Sequence, residues 1–145
     1  MSQTGCSKAD RVQSEPMGAD YSEFETRIVE IVFPNQTNHY GTLFGGHALE
    51  LMDKSAFITA SRFARKSMVT ASSERIDFKT PVKRGHLVEI VGRIARRGET
   101  SVTVSVDLFA EDLLSGERSL CVHGQFVLVA VDQNNRPIAL DSALT

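Results

Sequence analysis

The chain has 145 residues, 41% hydrophobic and 23% charged, with a net charge of -2. That is one domain's worth of a soluble, globular class. It carries no global basic field for nucleic acid, so any anion site must be a local cluster. Cys6 lies in a polar stretch and Cys121 in an apolar run, so the two cysteines offer neither a disulfide framework nor a zinc spacing. No apolar run approaches the roughly 20 residues of a membrane span. The first 20 residues lack the apolar stretch of a secretory signal, so the expected compartment is the cytoplasm.

In chain order, residues 1–21 are rich in Ser, Gln, Asp and Glu and read as a flexible tail. Residues 22–140 form the expected single domain, and 141–145 a short second tail. Phe24 to Phe33 alternates as a strand. Pro34 to Gly46 is too rich in Pro, Asn and Gly for a regular element along most of its length. His47 to about Arg65 reads as a helix. Dense Val, Ile, Thr and Phe then mark strands over Met68 to Phe78, His86 to Arg97, Thr100 to Leu114 and Arg118 to Asp132. Turns are signalled at Pro81–Gly85, Arg97–Glu99 and Ser115–Glu117. Val102, Val104, Val106 and Leu108 fall on one strand face. Consecutive strands with hairpin-length links predict an antiparallel sheet of five or so strands wrapped around one helix, an α+β class. Its edges invite pairing with a second copy.

At about 100° per residue, Glu50, Lys54, Ser61, Arg62 and Arg65 share one arc of the helix. Leu49, Met52, Ala56, Phe57, Ala60, Phe63 and Ala64 share the other, and Asp53 is the only charge among them. Burying a lone carboxylate costs several kcal/mol unless something compensates. Asp53 therefore bonds a backbone or basic group, faces a wet cleft, or does chemistry. Gly46 lies seven residues earlier on the same stripe, roughly 10 Å away along the axis. The Gly45–Gly46 pair can be a tight loop-to-helix turn. It also lets a ligand approach free N–H groups that favour developing negative charge on a carbonyl.

The segment Pro34-Asn35-Gln36-Thr37-Asn38-His39-Tyr40-Gly41-Thr42-Leu43-Phe44-Gly45-Gly46, followed by Leu51-Met52-Asp53, resembles the acyl-CoA thioesterases of the hotdog superfamily. The likeness points to the YciA-type and cytosolic long-chain acyl-CoA hydrolase branch. It continues through Val69-Thr70-Ala71, Asp77-Phe78 with Pro81-Val82, and Arg97-Gly98-Glu99-Thr100-Ser101, to Arg136-Pro137. The resemblance implies a hotdog fold and hydrolysis of acyl-CoA at an interface between two copies. A trimer of dimers is a common higher assembly in that branch. It assigns Asn38 to orient water or thioester, Asp53 to act as base or nucleophile, and the Gly46 N–H to polarise the carbonyl. No metal or separate cofactor is expected, since CoA belongs to the substrate.

For substrate and CoA contacts the sequence offers Gly45, His47 at the helix start, Thr70 on the strand beside it, and the Arg97, Thr100, Ser101 turn, where guanidinium and hydroxyls can hold phosphate. Arg62, Arg65, Lys79, Lys83, Arg84, Arg93 and Arg96 are further basic candidates. His123 reads as packing. Two other functions fit the pattern less well. A hotdog dehydratase or hydratase would need a loop histidine, for which His39 or His47 could serve. A non-catalytic acyl-CoA-binding sensor would not need both Asn38 and Asp53.

Overall fold

Strict apolar alternation in Val102, Val104, Val106 and Leu108 builds the centre of the molecule, and all four side chains are fully buried. In a computed structural model, which describes residue 21 and residues 24–141, the order is β1 (Glu25–Ile31), a 3-10 turn (Pro34–Gln36), α1 (Gly45–Ala64), β2 (Met68–Phe78), β3 (Leu87–Arg97), β4 (Ser101–Glu111) and β5 (Arg118–Ala130). Apart from Tyr21 and Asp141, the expected tails lie outside the described residues. The five strands form one antiparallel sheet in the order β1-β3-β4-β5-β2. The sheet curls around α1, which packs on all five strands. This is the hotdog architecture.

Simple consecutive pairing fails at one place. β2 does not pair with β3 but lies at the far edge beside β5. The link after β2 stays attached to β5 through Lys79 N–H to the Cys121 carbonyl at 2.7 Å. It then meets the loop before the helix, where Leu43 N–H donates to the Val82 carbonyl at 2.8 Å. Those bonds take the link across the sheet's end instead of folding it back. The outcome is a nearly naked edge: along β2 only Met68 is buried and only Ile76 partly covered. Its register with β5 shifts twice, between Thr70 and Ser72 and between Glu74 and Asp77.

The helix begins two residues earlier than its pattern suggests, so the glycine pair forms its first turn. It ends at Ala64, with Arg65 in the left-handed conformation (φ 53°) and its N–H on the Ser61 carbonyl. Its buried side is Ala48, Leu51, Met52, Ser55, Ala56, Thr59 and Ala60. Fully burying a side chain the size of Met52 contributes about 1.5–3 kcal/mol. The helix lies close because β3 has Gly92 beneath it. A Cβ there would sit 2.7 Å from both Ser55 Oγ and Thr59 Oγ1 and 3.3 Å from the Ser55 carbonyl oxygen. The Thr59 hydroxyl is fixed by donating to the Ser55 carbonyl at 2.7 Å, so it has little freedom to give way.

The outer face of the sheet is tied by charge. Glu89 on β3 accepts from Arg27 Nη1 of β1 at 2.9 Å and pairs with Arg118 Nη1 of β5 at 2.6 Å. Partial burial pushes the Glu89 carboxyl up, but the two guanidinium groups outweigh it and hold the carboxyl below its ordinary value of 4.5. Further along, Asp107 Oδ1 lies 2.6 Å from His123 Nδ1. His123 is thus half of a polar pair, a correction to its reading as packing: its side chain points to the outer face, away from the helix.

Two outcomes follow from this packing. Gly92→Ala will push α1 off β3 and cost about 1–3 kcal/mol, as over-packing does, read as a lower urea midpoint. Because folding favours the charged form of Glu89, its stabilisation is present above pH 4.5 and drains away as pH falls through the lowered folded value. Glu89→Gln will therefore lower the melting temperature at neutral pH and flatten the acid limb of the stability curve.

Candidate active site at the open edge of the helix

The loop before α1 is built around one carboxamide. Asn38 Oδ1 accepts from Tyr40 N–H at 2.9 Å, Thr42 N–H at 3.2 Å and Thr42 Oγ1 at 3.2 Å. Asn38 N–H donates to the Thr42 carbonyl at 2.8 Å, and Gly41 N–H to the Asn38 carbonyl at 3.0 Å. The turn needs φ of +80° at Gly41, a conformation that glycine adopts at no steric cost. The loop is therefore rigid where Pro, Asn and Gly spelled only irregularity.

At the end of that loop the helix starts uncapped. Phe44 is the N-cap and supplies no side-chain bond. The first intrahelical bond runs from Ala48 N–H to the Phe44 carbonyl at 3.0 Å. The N–H groups of Gly45, Gly46 and His47 thus have no acceptor within the helix. Gly46 is exposed, and a Cβ built on it would meet nothing within 4 Å. A Cβ on Gly45 would make an ordinary contact with the Phe78 ring at 3.5 Å.

Asp53 is half-buried, and its Oδ1 accepts the Thr70 hydroxyl at 2.7 Å. It stands at the margin of the buried face, not inside it. Phe57, expected inward, is 45% exposed, while Leu51, Ser55 and Thr59 are in the core. The covering sheet sits further round the helix than the spread of apolar residue types implied. The stripe of Gly46, Asp53 and Phe57 is thereby left at the open margin of the covered face.

The other expected residues divide. Thr70 joins Asp53. Among the described residues no hydrogen bond links Asn38 to Asp53 within one chain. His47 lies about 120° round the helix from Asp53; its Nδ1 is 3.5 Å from Glu50 Oε1 and its Nε2 is shut from water. Arg97 is held by Asp141 at 3.3 Å and lies over the Phe63 ring at 6.0 Å, at the opposite end of α1 from Gly46. The carbonyl of Thr100 accepts the Ala130 N–H at 2.9 Å, and Gly98 N–H closes on the Ser101 carbonyl at 2.8 Å. The sequence pattern missed the outward Phe57 and the groove beside Asn38, which arises where residues 34–42 meet 83–84.

The pattern of the family described as "Thioesterase superfamily" matches residues 40–117. This chain belongs to the thioesterase superfamily. Among its relatives, an uncharacterized acyl-CoA thioester hydrolase of Bacillus subtilis is 35% identical over 116 residues, covering 79% of this chain and 67% of its own. The acyl-CoA hydrolase from Staphylococcus aureus, solved with butyryl coenzyme A, coenzyme A and coenzyme A disulfide, is similar with a TM-score of 0.78 and 32% identity. That match covers 82% of this chain and 73% of the other. A hexameric acyl-CoA thioesterase matches with a TM-score of 0.80 and 36% identity, over 83% and 78% of the two chains. The S. aureus thioesterase was also solved with an aspartate, an asparagine and a threonine each replaced by alanine. There the asparagine precedes the aspartate by fifteen residues and the threonine follows it by seventeen. Asn38, Asp53 and Thr70 have those same spacings.

Proposed function

We propose that this chain is an acyl-CoA thioesterase, releasing free acid and CoA at a site shared by two copies. The observation that carries this reading is the Asp53 carboxylate, held by Thr70 on the uncovered helix stripe that begins at the uncapped Gly46. The spacing shared with the three residues replaced in the S. aureus enzyme supports the same trio. Asp53 takes a proton from water, and the resulting hydroxide attacks the thioester carbonyl carbon. The charge on the carbonyl oxygen gathers at the Gly46 N–H, where the helix dipole favours it. The C–S bond then breaks, and the thiolate leaving group takes back the proton. Thr70 fixes the carboxylate rotamer, and Asn38 of the second copy orients the water or the thioester. Gly45 leaves room beside the carbonyl.

Two features favour a second copy: the bare β2 edge and the lack, among the described residues, of any hydrogen bond between Asn38 and Asp53 within one chain. The hexameric relative is in keeping with dimers that assemble further. Among the described residues no helix is long and apolar enough to cross a membrane, and the cytoplasm is the compartment we assign.

In a thiol-release assay over a panel of acyl-CoAs, Asp53→Ala will lower turnover by at least about 100-fold, with the oligomer retained in sedimentation. Unchanged turnover removes Asp53 from the mechanism. Mixing inactive Asn38→Ala with inactive Asp53→Ala chains, then allowing subunit exchange, will restore roughly a quarter of wild-type activity, because half the dimers pair unlike chains and each of those has one intact site. No recovery after verified exchange places both residues in one copy's site.

A further inference from the structure

A second residue of β2 reaches the helix. Thr70, near one end of the strand, meets Asp53, and Phe78 is the last residue at the other end. Phe78 lies directly opposite Val122 of β5, a core residue, so its side chain stands on the helix side of the sheet. Asp77, opposite His123, faces the other way. The Phe78 ring comes up against the glycine pair. A Cβ on Gly45 would lie 3.5 Å from its Cε1 and 3.6 Å from its Cζ. Gly46, whose N–H has no acceptor within the helix, is the next residue, its Cα about 3.8 Å further on.

The chain around this ring is held on both sides, yet the ring is left open. Lys79 N–H bonds the Cys121 carbonyl at 2.7 Å, and Lys83 forms an antiparallel bridge with Thr42 of the loop before α1. These attachments fix the end of β2 against the start of the helix. Phe78 is nevertheless 57% exposed, and Phe44, the N-cap beside Gly45, is 52% exposed. An open ring gains most when another apolar surface covers it. Neither phenylalanine side chain has a polar atom to offer. Of the two groups on a thioester carbonyl, the thiol arm of CoA carries amides that need hydrogen-bond partners, whereas a fatty acyl chain is unbroken hydrocarbon.

We infer that Phe78 is a specificity-determining residue, whose ring receives the first few carbons of the acyl chain when the carbonyl docks on the Gly46 N–H. This rests on the hydrolase reading and deepens it by naming the substrate class: thioesters of acids with a hydrocarbon chain, in preference to acetyl.

The test measures kcat/KM for thiol release from acetyl-, butyryl- and hexanoyl-CoA, with wild type, Phe78→Ala and Phe78→Leu. Wild type will favour hexanoyl-CoA over acetyl-CoA. Phe78→Ala will lower that preference about tenfold or more, the size expected when a hydrophobic contact with several methylenes is lost. Phe78→Leu, still apolar, will keep most of it. The ring lies largely outside the core, so both variants will fold; melting and sedimentation check fold and assembly. A preference ratio unchanged in Phe78→Ala overturns the inference. That includes the case in which all three thioesters slow equally, the mark of a ring that serves the thiol arm or the turn. A Phe78→Ala protein that dissociates into single chains also overturns it, because the ring then belongs to the contact between copies. If wild type releases thiol from none of the three, the hydrolase reading fails. Calorimetric titration with the same intact thioesters then decides the ring separately. A hexanoyl-over-acetyl affinity ratio equal in wild type and Phe78→Ala overturns the inference, and a ratio about tenfold lower in the variant upholds it.

Discussion

Everything in this molecule depends on how closely a twenty-residue helix lies in the hollow of its sheet. Gly92 sets that distance. With no side chain on β3 at that point, Ser55 and Thr59 descend almost to the backbone, and the valines of β4 close the space on the other side. Small residues along the buried helix face (Ala48, Ser55, Ala56, Thr59, Ala60) are the counterpart of that absence. Close packing of this kind fixes the rotation of the helix about its own axis as well as its depth.

That rotation makes the site. The sheet covers the side of α1 centred on Met52 and leaves a stripe through Gly46, Asp53 and Phe57 uncovered. A carboxylate at the rim is neither desolvated without a partner nor lost to bulk water. Thr70 reaches it from the edge strand because β2 bulges immediately afterwards, and a bulge re-aims the side chains around it. The edge strand therefore both holds Asp53 and stays free of a neighbour along its outer side.

Much of this is legible in the residues. Period-two alternation marks β4 and β5, Gly85 and Gly116 mark turns, and the run from Pro34 to Asp53 carries the family's stamp. Helix rotation is less legible. Phe57 looks like core by type, and Ser55 and Thr59 look like surface, yet Gly92, 33 residues beyond Thr59, reverses both. Strand order is hidden for a similar reason: β2 leaves β3 because Val82 and Lys83 are claimed by Thr42 and Leu43, a long-range pairing that no local spacing announces. His123 belongs to the same class. Its polar partner Asp107 sits on another strand, so packing was the natural reading of a histidine in an apolar run.

The three contacts on the Asn38 side-chain oxygen have a directional consequence. Two backbone N–H groups and one hydroxyl saturate that atom, which fixes which end of the carboxamide points inward. Its amino end is then the part presented to anything arriving from outside, so this side chain offers a hydrogen-bond donor there. An aspartate, equal in shape, would keep the inner contacts while turning the outward end into a repulsive one. Asparagine at this position thus fixes the polarity of the entrance as firmly as it fixes the loop.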